Sequence, residues 1–82
     1  MRKHLILVVD DEPAIVRLVR TKLQADGYAV ITASRGEEAL EILEDERPDL
    51  IILDLMMPGI DGFETLRRIR AESQIPVIML TA

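Results

Sequence analysis

Three aspartates and one threonine carry the chemistry this sequence offers. Asp10 and Asp11 follow the apolar run LILVV (Leu5–Val9), Asp54 follows LIIL (Leu50–Leu53), and Thr81 follows VIML (Val77–Leu80). Gathered at one place, carboxylates repel: two about 5 Å apart cost roughly 3 kcal/mol at an effective dielectric near 20. Either one of them holds a proton or a cation binds. Oxygen donors with neither His nor Cys beside them select a hard ion, Mg2+ or Mn2+. A simpler role exists for each piece. An Asp–Asp pair after a strand can merely cap the next helix, and Thr is an ordinary β-former at a strand end. The third Asp, in an equivalent place, is what favours a site.

The elements that must position these residues alternate. LILVV reads as a short buried parallel strand. Pro13 suits the first turn of a helix, where its missing N–H costs nothing. Ile15, Leu18, Val19 and Leu23 recur at helical spacing, and Gly27 stops that helix. Tyr28–Ala33 is the second strand. Ser34 with Glu37 is a capping-box pattern opening a second helix, with Ala39, Leu40 and Leu43 as its inner stripe. Arg47-Pro48-Asp49 breaks it, and Leu50–Leu53 is the third strand. Leu55–Gly62 is loop. Asp61 with Glu64 is a second capping-box pattern, and Phe63, Leu66 and Ile69 form the third helix's inner face. Pro76 precedes the fourth strand, Val77–Leu80.

The order βαβαβαβ argues for a parallel sheet with helices on both faces and right-handed crossovers. In such sheets ligands bind beyond the carboxyl ends of the strands, near the switch in strand order. If the first and third strands are neighbours, Asp10, Asp11 and Asp54 converge. If the order is second–first–third–fourth, Thr81 lies beside Asp54, where its hydroxyl and the Ala82 N–H can donate to an anionic group on that aspartate.

Composition narrows the alternatives. The 82 residues suffice for one domain, and with 49% hydrophobic residues but only Tyr28 and Phe63 as aromatics the core is aliphatic. The absence of Cys excludes disulfides and thiolate metal sites, which suits a reducing cytoplasm. A net charge of −5 with scattered Arg and Lys offers no nucleic-acid stripe. No apolar run reaches membrane-spanning length. Met1-Arg2-Lys3 before HLILVV is not read as a leader, because Asp10 and Asp11 interrupt the apolar stretch.

Three motifs, VVDDEP, DLMMPGIDGFE and PVIMLTA, occur in order and at suitable spacing. In them the chain resembles the receiver domain of bacterial two-component response regulators. The resemblance implies a flavodoxin-like doubly wound parallel sheet of strand order 2-1-3-4. It implies that Asp54 is the phosphoacceptor, that Asp11 ligates Mg2+ directly and that Asp10 is the second acidic residue. It further assigns the Met56 backbone carbonyl to the metal, Thr81 to contact with the phosphoryl group, and Pro58 and Gly59 to the loop shaping the site. The implied donor is a sensor histidine kinase, a phosphotransfer protein or a small acyl phosphate. The implied setting is the bacterial cytoplasm. The implied activity is reversible self-phosphorylation rather than turnover. Phe63 is expected in the core, Met56 and Met57 in loop packing, and His4 lies away from the acidic edge.

The resemblance also implies a fourth helix, fifth strand and fifth helix beyond Ala82, with a Lys that pairs with the phosphoryl group. Without them the fourth strand is an open edge and one sheet face lacks a covering helix. Self-association through that edge and face, and weaker phosphorylation, are therefore expected. An Asp-nucleophile phosphatase is the weaker alternative, because Met56 stands where such enzymes place a second Asp. A purely structural fragment that inherits the motifs is the other.

Overall fold

The computed structural model describes residues 3–80. Seven elements follow one another: β1 (Leu5–Val9), α1 (Pro13–Ala25), β2 (Ala29–Ala33), α2 (Gly36–Asp45), β3 (Leu50–Asp54), α3 (Gly62–Glu72) and β4 (Val77–Leu80). All neighbouring strands are parallel, in the order β2-β1-β3-β4. The switch in strand order falls between β1 and β3, which places their carboxyl ends side by side.

Alternation along the strands divides the apolar residues between two faces. Leu7, Val9, Ile51 and Leu53 form one face, packed with Ala39 of α2 and Ile69 of α3. Ile6, Val8, Ile52 and Ile78 point the other way, where α1 lies over β1 and β2. On the second face Ile6 and Val8 are buried under α1, and burial falls off toward β4. Leu7, Val9, Ile51 and Leu53 are fully buried, whereas Ile78 is 50% exposed. Leu18 of α1 is 67% exposed and Ile15 39%. The inner stripe expected for the first helix is thereby corrected: Val16, Val19 and Leu23 are half-buried, and Ile15 and Leu18 lie outside. A helix over only half of a sheet face buries a narrower arc than its apolar spacing offers.

Helix ends show why the elements stop where they do. Gly27 has φ 96°, the left-handed conformation that ends α1. Its N–H donates to Gln24 O at 3.0 Å and the Tyr28 N–H to Leu23 O at 3.0 Å, the two bonds of a Schellman end. Tyr28 is thus spent on the turn, and β2 begins one residue later than expected. At α3, Asp61 is the N-cap and accepts from the Glu64 N–H at 2.9 Å. The return half of that box is not made, because Arg67 and Arg68 hold the Glu64 carboxylate. At α2 the expected Ser34–Glu37 box is overturned. Arg35 is the N-cap, with no side-chain bond. Glu38 reaches back to the Ser34 N–H at 2.6 Å and its hydroxyl at 3.0 Å, leaving Glu37 to face elsewhere.

Phe63 is a further correction: it is 66% exposed. The inner face of α3 is Gly62, Thr65, Leu66 and Ile69. Thr65 takes the core position, fully buried, because its hydroxyl donates to Asp61 O at 2.8 Å. Satisfied in this way, a hydroxyl can occupy a place that periodicity assigns to an aromatic.

Candidate functional site

The acidic edge is assembled by the ends of β1 and β3. Val9 and Leu53 are register partners, and Asp10 and Asp54 are the next residues along each strand. The Asp10 N–H still donates to Ala33 O of β2 at 3.1 Å, so its backbone is held in the sheet. Its side chain is 6% exposed and accepts from the Glu12 N–H at 2.9 Å. Asp11 is exposed and Asp54 half-buried. Asp54 accepts from the Met56 N–H at 3.2 Å, a bond that folds the following loop back over the strand end.

One carboxylate oxygen from each of Asp10, Asp11 and Asp54 lies within 4.8 Å of the other two. The electrostatic consequence falls on Asp10. Burial pushes its carboxyl above the usual range, the Glu12 N–H partly opposes this, and the nearby charges of Asp54 and Asp11 add to the rise. A hard divalent cation suits this donor set: all ligands are oxygens, and its charge would offset the repulsion among the three carboxylates. The three aspartates expected to converge do so. Met56 lies two residues after Asp54 and is 73% exposed, with its N–H on the Asp54 carboxylate. Thr81 and Ala82 lie outside the described residues. Leu80, just before them, pairs with Asp54 across β3 and β4.

α3 begins against the same strand end. The Gly62 N–H donates to Leu55 O at 3.0 Å. A Cβ at Gly62 would overlap the Asp54 carbonyl oxygen and the Leu55 Cα. The glycine therefore lets the helix start in contact with the backbone of the acidic residue. Glu37 was missed in the sequence because it was assigned to a cap. Its Oε2 accepts from the Ile60 N–H of the loop at 3.4 Å. Beside the aspartates a hollow of about 290 Å³ is lined by Asp10, Asp11, Arg17, Arg20, Thr32 and Ser34 among others. A larger hollow, about 490 Å³, lies between α2 and α3 around Leu43, Arg47 and Ser73, away from the acidic edge.

Comparison with known proteins agrees with this geometry. The family model described as Response regulator receiver domain matches residues 6–82. A probable transcriptional regulator, ycf27, of Porphyridium aerugineum is 52% identical over 82 residues, covering 100% of this chain and 34% of that protein. The transcriptional regulatory protein AfsQ1 of Streptomyces coelicolor is 49% identical over 77 residues, covering 94% of this chain and 34% of that protein. The chain thus spans about a third of the length of these curated relatives. Among solved structures, the N-terminal domain of a response regulator receiver protein from Methanoculleus marisnigri superposes with TM-score 0.93 at 52% identity, covering 96% of this chain and 67% of that one. The response regulator TrrA from Thermotoga maritima, in complex with Mg2+ and BeF, gives TM-score 0.91 at 48% identity over 96% of this chain and 70% of that one.

Proposed function

The chain belongs to the response regulator receiver family, and from that premise we propose that Asp54 is the residue through which it accepts a phosphoryl group. The observation that carries the assignment is the convergence of Asp10, Asp11 and Asp54 at the switch in strand order. Of the three, Asp54 is half-buried and projects from the end of the central strand β3.

An Asp54 carboxylate oxygen attacks phosphorus, and the bond from phosphorus to the donor breaks. That bond is P–N in a phosphohistidine or P–O in an acyl phosphate, and the leaving group takes the electron pair. The product is a mixed anhydride, which water hydrolyses to restore the carboxylate. Asp10, Asp11, Asp54 and the Met56 carbonyl would hold Mg2+ (or Mn2+), whose charge offsets the repulsion between Asp54 and the incoming phosphoryl group. The TrrA complex with Mg2+ supports that assignment. Thr81 through its hydroxyl and Ala82 through its N–H are proposed to contact the phosphoryl oxygens, on the strength of their sequence position after β4.

The proposed donor is a sensor histidine kinase or phosphotransfer protein. The proposed setting is the bacterial cytoplasm; no helix among the described residues is long and apolar enough to cross a membrane. The solved receivers extend beyond the aligned region, which covers 67% and 70% of the two chains compared. Among the described residues β4 is an edge strand, and with the exposed Leu18 and Ile78 this supports self-association of this chain.

Intact mass after incubation with Mg2+ and an acyl phosphate tests the central assignment. One phosphoryl group is expected on the parent and none on Asp54→Ala. A folded parent that stays unmodified, or an Asp54→Ala variant that is modified equally, overturns it.

A further inference from the structure

We propose that Glu37 is a positioning residue: its carboxylate latches the loop between β3 and α3 and so places the Met56 backbone and Asp54 for the cation. The inference rests on the cation reading above and adds a residue that no site motif contains.

The two adjacent glutamates of α2's first turn do different things. An acidic residue there is favoured by the helix dipole whichever way it points. Glu38 turns back onto Ser34. Glu37 turns toward the loop, where its Oε2 accepts from the Ile60 N–H at 3.4 Å. Its Oε1 is shielded from solvent and makes no hydrogen bond. A carboxylate oxygen left in that state opposes burial, and a solvated rotamer would relieve it. The side chain stays because the loop closes over it.

The loop is shaped to receive the carboxylate. Gly59 has φ 76°, which favours glycine on its own account. A Cβ at Gly59 would also stand 2.6 Å from Glu37 Oε2 and 3.1 Å from Oε1. The absence of a side chain at position 59 thus serves the approach of Glu37 as well as the turn. The preceding residue of α2 completes the grip. A Cβ at Gly36 would stand 2.8 Å from Ile60 Cγ1, so the helix start lies directly on that side chain. Ile60 is therefore held by its N–H and by its side chain from one helical turn.

The other end of the loop is fixed by the sheet. The Leu55 N–H donates to Leu80 O at 3.1 Å, and the Met56 N–H to Asp54 Oδ1 at 3.2 Å. Met56 lies between these two anchors. Releasing Ile60 removes one restraint on the loop that carries Met56, leaving the buried Met57 and the Gly62–Leu55 bond to hold it, and the Met56 carbonyl then samples a wider range of positions. Partners that orient a metal ligand without touching the metal commonly change affinity by tenfold or more.

The experiment compares the parent with Glu37→Ala, Glu37→Asp, Glu37→Gln and Glu38→Ala. Mg2+ affinity is read by calorimetry, and amide hydrogen exchange at Gly59 and Ile60 by NMR. Glu37→Ala is expected to weaken Mg2+ binding on the order of tenfold and to speed exchange at Ile60. Glu37→Asp keeps the charge but is one methylene too short, and is expected to behave like Glu37→Ala. Glu37→Gln keeps an acceptor of full length and is expected to restore both readouts. Glu38→Ala removes a neighbouring charge of the same helix turn and is expected to change neither. Parent-like Mg2+ affinity in Glu37→Asp overturns the proposal, as does an equal loss in Glu38→Ala. A parent that binds no Mg2+ overturns the cation reading instead. The latch is then judged by exchange alone, and unchanged protection of Ile60 in Glu37→Asp overturns it.

Discussion

Asp10 and Asp54 end neighbouring parallel strands one step beyond the Val9–Leu53 pair, with a carboxylate oxygen from each within 4.8 Å of the other. Strand register places them there, so folding of the metal-free chain works against their repulsion. At an effective dielectric near 20, such a pair costs roughly 3 kcal/mol when both are charged. Asp10→Asn removes one charge and is expected to stabilise the metal-free protein by about 1–2 kcal/mol. For a domain of this size each kcal/mol moves the midpoint by roughly 4–8 °C. The same variant is expected to lose most of the stabilisation that Mg2+ gives the parent. Thermal melts with Mg2+ and with a chelator measure both effects. A destabilised Asp10→Asn without metal would show that the Glu12 N–H bond outweighs the repulsion.

Acid titration separates this pair from the rest of the surface. The folded Asp10 carboxyl is raised above its ordinary value of 3.8, foremost by burial. Its folded form therefore prefers the proton. The resulting stability is fully present below the unfolded value and is lost as pH rises through the raised folded one. Glu64 has the opposite sign. Arg67 and then Arg68 lower it from 4.5 to about 2, so its contribution is present above 4.5 and fades as pH falls toward about 2. Because Asp10 is a proposed cation-binding group, protons and Mg2+ compete for it. Apparent Mg2+ affinity is expected to fall as pH drops through the raised Asp10 value. Calorimetric titrations at a series of pH values check this, and an affinity flat through the acid range would remove Asp10 from the site.

Gly62 and Gly27 separate two reasons for glycine. At Gly62 a Cβ would run into backbone atoms of Asp54 and Leu55. Neither atom can move without shifting the end of β3. Gly62→Ala is expected to cost roughly 1–3 kcal/mol, the range of overpacking in a dense interior, and to weaken Mg2+ binding as well. At Gly27 a Cβ would meet nothing within 4 Å, and only the φ of 96° resists substitution. Gly27→Ala is expected to cost about 1–2 kcal/mol and to leave Mg2+ affinity unchanged. Equal Mg2+ affinities for the two variants would mean that the approach of α3 to Asp54 is not what shapes the site.

These contrasts also show which parts of the molecule were legible in the sequence. Asp10, Asp11 and Asp54 were, because each ends an apolar run and a parallel sheet brings strand ends to one edge. Strand order followed from the same alternation together with the family resemblance. Side-chain partners across elements were less legible. Two adjacent glutamates in one helical turn have the same propensity, and only the position of the loop decides that Glu38 caps while Glu37 reaches Ile60. Phe63 was placed inside by its spacing, yet Thr65 fills the core because Asp61 O satisfies its hydroxyl. Leu18 was placed inside by periodicity, which cannot tell how wide an arc the neighbouring sheet will cover.

That exposed arc leads to the last expectation. Leu18 is 67% exposed on α1 and Ile78 50% exposed on β4, both associated with the same face of the sheet, while β4 is an edge strand among the described residues. Little contact is lost if either is replaced by a charged residue. Leu18→Lys and Ile78→Lys are therefore each expected to shift unfolding free energy by no more than about 0.5–1 kcal/mol. Leu53→Ala, in the fully buried core, is expected to cost about 2–5 kcal/mol. If the open face drives self-association, the two Lys variants lower the average mass in sedimentation or light scattering while their melts barely move. Leu53→Ala destabilises the fold without selectively removing the contact. A parent that remains monomeric at high concentration defeats the association, and Lys variants as associated as the parent would place the contact on another surface.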